Sequence, residues 1–84
     1  MLLDTATSLA DFLNHNSPRF LATVLDFGNK GWVIVGEKLP DGSRRLFRET
    51  ISDPADYVRR ARAGITGIDT EYDALIEEWL RRQA

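Results

Sequence analysis

The residues best equipped for chemistry are cations and aromatic rings, and they gather between positions 31 and 51. That stretch reads Gly-Trp-Val-Ile-Val-Gly-Glu-Lys-Leu-Pro-Asp-Gly-Ser-Arg-Arg-Leu-Phe-Arg-Glu-Thr-Ile. Folded as a hairpin, it puts Trp32, Ile34 and Leu46 on one face with Lys38, Arg44 and Arg48, because side chains alternate across a strand. A ring beside a cation can stack a base while the charge meets a phosphate. The same combination can anchor a protein interface, where Trp and Arg are enriched among the residues that dominate binding energy. A third arrangement is internal: the stems of Arg44 and Arg48 lie across Trp32 and shield it. A second basic cluster, Arg59, Arg60 and Arg62, falls near the end of a predicted helix. There cations complement the helix dipole, and a solvated face accounts for them.

Other chemistries find little support. His15 is the sole histidine and stands among Asn14, Asn16 and Ser17, where it reads as a cation at a helix end. The chain has no cysteine, so disulfides, thiolate zinc sites and a cysteine nucleophile are excluded. A metal would need carboxylates alone. Asp53 and Asp56 are explained by helix capping, and Glu77 and Glu78 by arginines one turn away. Ser8, Ser17, Ser43 and Ser52 lack a Gly-x-Ser-x-Gly context. The pairs Gly28-x-x-Gly31 and Gly64-x-x-Gly67 carry neither a following Lys-Ser/Thr nor a dinucleotide fingerprint, and read as turns. We therefore expect no catalytic residues, no metal and no cofactor.

The elements that must position the hairpin follow from composition and periodicity. Eighty-four residues, 43% of them hydrophobic, predict a single globular domain over 1–84 rather than a disordered chain. No apolar run approaches the roughly 18 residues of a membrane span. The N-terminus lacks the basic region of a signal peptide. These features predict a soluble, cytoplasmic protein. Residues 1–29 carry a net charge of −2, 30–62 of +3 and 63–84 of −3. The basic centre is diluted by five acids, which weakens the footprint of a nucleic-acid binder.

A first helix is predicted over 4–15, with Ala6, Leu9, Phe12 and Leu13 on one side and Asp4 or Thr5 as cap. It ends before Pro18. Residues 19–27 fit a short helix, with Pro18 in its first turn, or a strand rich in Phe20, Thr23, Val24 and Phe27. The strand is favoured because a two-stranded hairpin is marginal by itself. A turn is then expected at 28–31. Leu39-Pro40-Asp41-Gly42 suits a type I turn followed by a left-handed glycine. It opposes Leu39 to Ser43, Glu37 to Arg45, Val35 to Phe47 and Val33 to Glu49, and gives Val33, Val35, Leu39, Phe47 and Ile51 a common face. Ser52 or Asp53 caps a helix begun by Pro54, with Tyr57, Val58 and Ala61 inward and Gly64 at its end. Ile65 and Ile68 would anchor the connection. Asp69 or Thr70 caps a last helix with the stripe Tyr72, Leu75, Ile76, Trp79 and Leu80 and the pairs Glu77–Arg81 and Glu78–Arg82.

The predicted fold is α+β, of order α-β-β-β-α-α: a three-stranded antiparallel meander with helices on one face. Three strands, a Pro-Asp-Gly turn, an arginine-rich third strand and a following helix resemble in outline the arm-type DNA-binding domains of phage integrases, over roughly 28–64. That resemblance implies DNA contact through the sheet. The first strand departs from it in lacking basic residues. The reading that best fits the residues is a small non-catalytic interaction protein, an adaptor, inhibitor or regulatory subunit of phage or mobile-element type, that binds another protein. The alternatives are a nucleic-acid-binding module using the same face, and a homodimer or larger homo-oligomer that buries Trp32 or pairs an edge strand.

Overall fold

The order α-β-β-β-α-α is present in the computed structural model, which describes residues 1–46, 50–65 and 69–83. Contacts divide the chain into two compact units, 1–52 and 53–84.

In the first unit, α1 spans Leu3–Asn16. Its buried residues Ala6, Leu9, Ala10 and Leu13 keep the i, i+3, i+4, i+7 spacing of one helix face. Ala10 takes the buried place expected of Phe12, which is half-buried. Neither Asp4 nor Thr5 caps the helix. The N-cap is Leu2, without a side-chain bond, and the Leu3 N–H is taken by the carbonyl of Asn29 at 3.0 Å.

Residues 19–27 resolve as a strand, β1, Phe20–Asp26. It pairs antiparallel with β2, Gly31–Lys38, in the register Phe20↔Glu37, Ala22↔Val35 and Val24↔Val33. The turn is Phe27–Lys30, one residue earlier than expected, closed by the Phe27 N–H on the Lys30 carbonyl at 2.8 Å. Gly28 has φ +86° and no other residue type shows a positive φ among the described residues, which matches a type II′ turn. The turn of the second hairpin forms as predicted. The Gly42 N–H meets the Leu39 carbonyl and the Leu39 N–H meets Ser43, both at 2.9 Å. Gly42 is left-handed at φ +88°, and β3, Arg44–Leu46, opposes Glu37 to Arg45.

Beyond Leu46 the predicted register does not continue. Val33 pairs with Ile51, not with Glu49. An unbroken ladder starting from Gly36↔Leu46 would oppose Glu49 to Val33, so Ile51 stands two residues beyond that register. An even offset keeps side-chain parity, and Ile51 stays on the covered face at 1% exposure. The Val35–Phe47 pairing lies outside the described residues. Next along β2, Leu2 bridges Lys30 and the Gly31 N–H meets the Met1 carbonyl at 2.9 Å. The far side of β2 is thus lined by three separate pieces of chain.

Helix α1 covers the sheet face of Phe20, Ala22, Val33 and Val35, all at most 6% exposed. Gly31 lies against the helix: a Cβ there would stand 3.0 Å from the Ala6 Cβ and 3.1 Å from Leu3.

In the second unit, α2 spans Pro54–Arg62 and α3 spans Thr70–Gln83. Asp53 caps α2 by accepting from the Asp56 N–H, with Pro54 in the first turn. Gly64, at φ +75°, ends it. The Gly64 N–H bonds Ala61 and the Ile65 N–H bonds Arg60, the paired bonds of a Schellman stop. Ile65 is no anchor: it is 69% exposed. Ile68 lies outside the described residues. The Asp69 carboxylate caps α3 through the N–H groups of Glu71 and Tyr72. Tyr57 and Tyr72 meet edge to face at 5.7 Å, and the Tyr57 hydroxyl donates to Asp73 at 2.6 Å. Ile76 and Trp79 complete the buried stripe, while Leu75 and Leu80 are half-buried.

Candidate functional site

The sheet face opposite α1 carries the hairpin residues singled out from the sequence. Lys38 is level with Arg44 and Gly36 with Leu46, and Trp32 and Ile34 share their parity on β2. Leu46 is 71% exposed and Trp32 43% exposed. Arg48 lies outside the described residues. From β1 the register adds Leu21, Thr23 and Leu25 to the same face. Leu21, Thr23, Ile34, Gly36, Arg44, Arg45 and Leu46 line one shallow groove.

The face is graded from end to end. Trp32 and Lys38 are six residues apart on one strand, about 20 Å at ~3.3 Å per residue. At the aromatic end Trp32 meets Phe27 edge to face, with ring centres 5.2 Å apart. Phe27 is itself 57% exposed. Arg44 stands level with Lys38 at the opposite end, so it does not shield Trp32 as the internal arrangement required. Lys30, level with Phe27 and of the same parity as Trp32, adds a cation at the aromatic end, and Leu21, Ile34 and Leu46 lie between the two ends.

The cationic end is organised by Glu37, on the covered side of β2. Arg19 reaches Glu37 Oε2 at 2.6 and 2.9 Å, and Arg45 reaches Oε1 at 2.8 and 2.9 Å. The Arg19 guanidinium first, and Arg45 second, hold the Glu37 carboxyl below its ordinary value. Lys38 and Arg44 have no ion pair with a described residue. Burial and pairing thus tie down two arginines and leave Lys38 and Arg44 for this end of the open face.

The second basic cluster is arranged differently. Arg59 and Arg60 both pair with Asp56, holding its carboxyl below the usual aspartate value, Arg59 more than Arg60. Arg60 also lies over the Tyr57 ring at 6.0 Å. Arg62 pairs with Glu77 at 2.5 Å. Glu77 is therefore a partner of α2 and not of Arg81, which pairs instead with Glu78 alongside Arg82. His15 sits in the last turn of α1 with Nδ1 2.8 Å from the Asp11 carbonyl, so that nitrogen carries the proton. Among the described residues no group of three or more His, Asp or Glu side chains lies close enough to hold a metal ion, and no helix is long and apolar enough to cross a membrane.

No family model, curated protein or solved structure matches the chain. Sequence reasoning missed Phe27, Leu21 and Leu25 as members of the open face. The alternation Leu21-Thr23-Leu25 against Phe20-Ala22-Val24 was the available signal, and it becomes readable once the first strand's register is known.

Proposed function

We propose that the chain is a small non-catalytic interaction protein that docks another protein on the sheet face opposite α1. The observation that carries this reading is the open face itself. Trp32 at 43% exposure begins an apolar strip that includes Leu46 at 71%, and Lys38 and Arg44 end it without a described carboxylate partner. Large apolar groups left in water match the composition of interface centres, and cations at their margin suit the polar rim. The complementary partner presents an apolar strip about 20 Å long with carboxylates at one end. Regulation, inhibition or tethering of a cytoplasmic partner fits such a module.

A protein partner is favoured over nucleic acid because much of the basic charge is already paired. The arginines of the second cluster are engaged by Asp56 and Glu77, which leaves few charges for phosphates.

The test begins with cross-linking in the source cell through a photoreactive side chain at position 46 or, as control, 59. The captured protein is purified and titrated against wild type, Leu46→Asp and Arg44→Glu. Capture from position 46 alone, with affinity lost about tenfold or more in both variants, supports the reading. Equal affinity for all three proteins overturns it. A steep fall of affinity for random DNA with salt, in place of protein capture, would establish the nucleic-acid alternative.

A further inference from the structure

We propose that the outer edge of β1 is a strand-addition site masked by the Asn14 side chain, and that its occupant, once unmasked, is β1 of a second copy of this chain. Strand β1 is an outer strand of the sheet. The Arg19 carbonyl accepts from Lys38 and the Phe27 N–H donates to Lys30, so odd-numbered backbone groups face β2. By alternation, the N–H and C=O of Phe20, Ala22, Val24 and Asp26 face away from it. The Ala22 N–H donates to Asn14 Oδ1 at 2.7 Å, and Asn14 Nδ2 donates to the Ala22 carbonyl at 3.0 Å. A carboxamide offers the same donor and acceptor as a peptide group, so Asn14 occupies the middle of the edge as a neighbouring strand would.

The edge has no other protection within Phe20–Leu25. These residues read Phe-Leu-Ala-Thr-Val-Leu, without charge, proline or glycine, which is the composition that pairs strand to strand. The opposite edge needs no such mask: β3 is three residues long and begins with two arginines. A second copy fits because antiparallel pairing centred on Ala22 sets Ala22 against Ala22 and Phe20 against Val24. It also keeps both α1-covered faces on one side of a continuous sheet. Such a contact is two-fold symmetric and closes.

The test compares wild type with Asn14→Ala by sedimentation equilibrium over about a hundredfold range of concentration, with amide exchange at Ala22 and Val24. Wild type is expected to stay at the mass of one 9.5 kDa chain. The variant is expected to approach twice that mass, with protection of both amides rising with concentration. Adding Thr23→Lys, a charge at an exposed edge position, should restore the single-chain mass. If Asn14→Ala fails to fold, Asn14→Asp serves: it keeps the acceptor for the Ala22 N–H and loses the donor, and a smaller mass increase is expected. A folded variant that stays monomeric throughout overturns the proposal. So does a wild type that dimerises equally well, or a dimer indifferent to Thr23→Lys.

Discussion

The two faces of the sheet are built by the same strands and differ by one residue of parity. Phe20, Ala22, Val33 and Val35 face α1 and are almost wholly buried. Leu21, Ile34, Trp32 and Leu46 face away, and the last two are well exposed. Both sets are apolar, so hydrophobicity alone does not assign the core. The close approach of α1 marks the covered face: at Gly31 even a Cβ would stand 3.0 Å from Ala6. Stability is expected to reside in one face and recognition in the other.

The sharpest way to break that contrast is by truncation on the helix side. Leu13 is fully buried, and Leu13→Ala should cost about 2–5 kcal/mol in denaturant unfolding. The next effect comes from adding a methyl group. Gly31→Ala forces a Cβ to 3.0 Å from Ala6 and should cost about 1–3 kcal/mol. Glu37 sharpens the contrast through pH. Its folded pKa is lowered by Arg19 and Arg45, so its contribution is full above the ordinary glutamate range and disappears as pH falls through the depressed folded value. Urea midpoints measured across acidic pH should decline more steeply in wild type than in Glu37→Gln. Gly36 has the opposite parity to Gly31, and its Cβ would meet only carbonyl oxygens at 3.6 Å. Gly36→Ala should raise stability by about 0.5 kcal/mol. Leu46→Asp should change it by less than about 0.5 kcal/mol. A large loss there would make the open face part of the core.

Local signals made much of this legible. Leu39-Pro40-Asp41-Gly42 dictates its own turn and, through it, the Glu37–Arg45 register. Asp53-Pro54, Gly64 and Asp69 mark helix ends by chemistry confined to a single turn. Illegible features depend on residues far apart in the chain. Phe27 meets Trp32 only because the first turn is tight. Arg62 wins Glu77 from Arg81 because α2 and α3 lie side by side, a contact that i, i+4 counting does not represent. Asn14 lies in the last turn of α1, and its bonds to Ala22 follow from where α1 crosses β1. The shift from Glu49 to Ile51 opposite Val33 similarly has no mark in the residues themselves.

The side of β2 lined by Arg44–Leu46, Ile51 and Leu2 has a consequence for the order of assembly. The β1–β2 hairpin closes through a tight turn, a local event that takes on the order of 1–10 μs. The Leu2–Lys30 and Val33–Ile51 bridges each close a longer loop and carry a larger entropic toll. The amides of Gly31 and Val33, which donate to Met1 and Ile51, should therefore gain protection after those of the β1–β2 ladder in pulse-labelled refolding. The chain zips locally first and ties its distant ends into the sheet last.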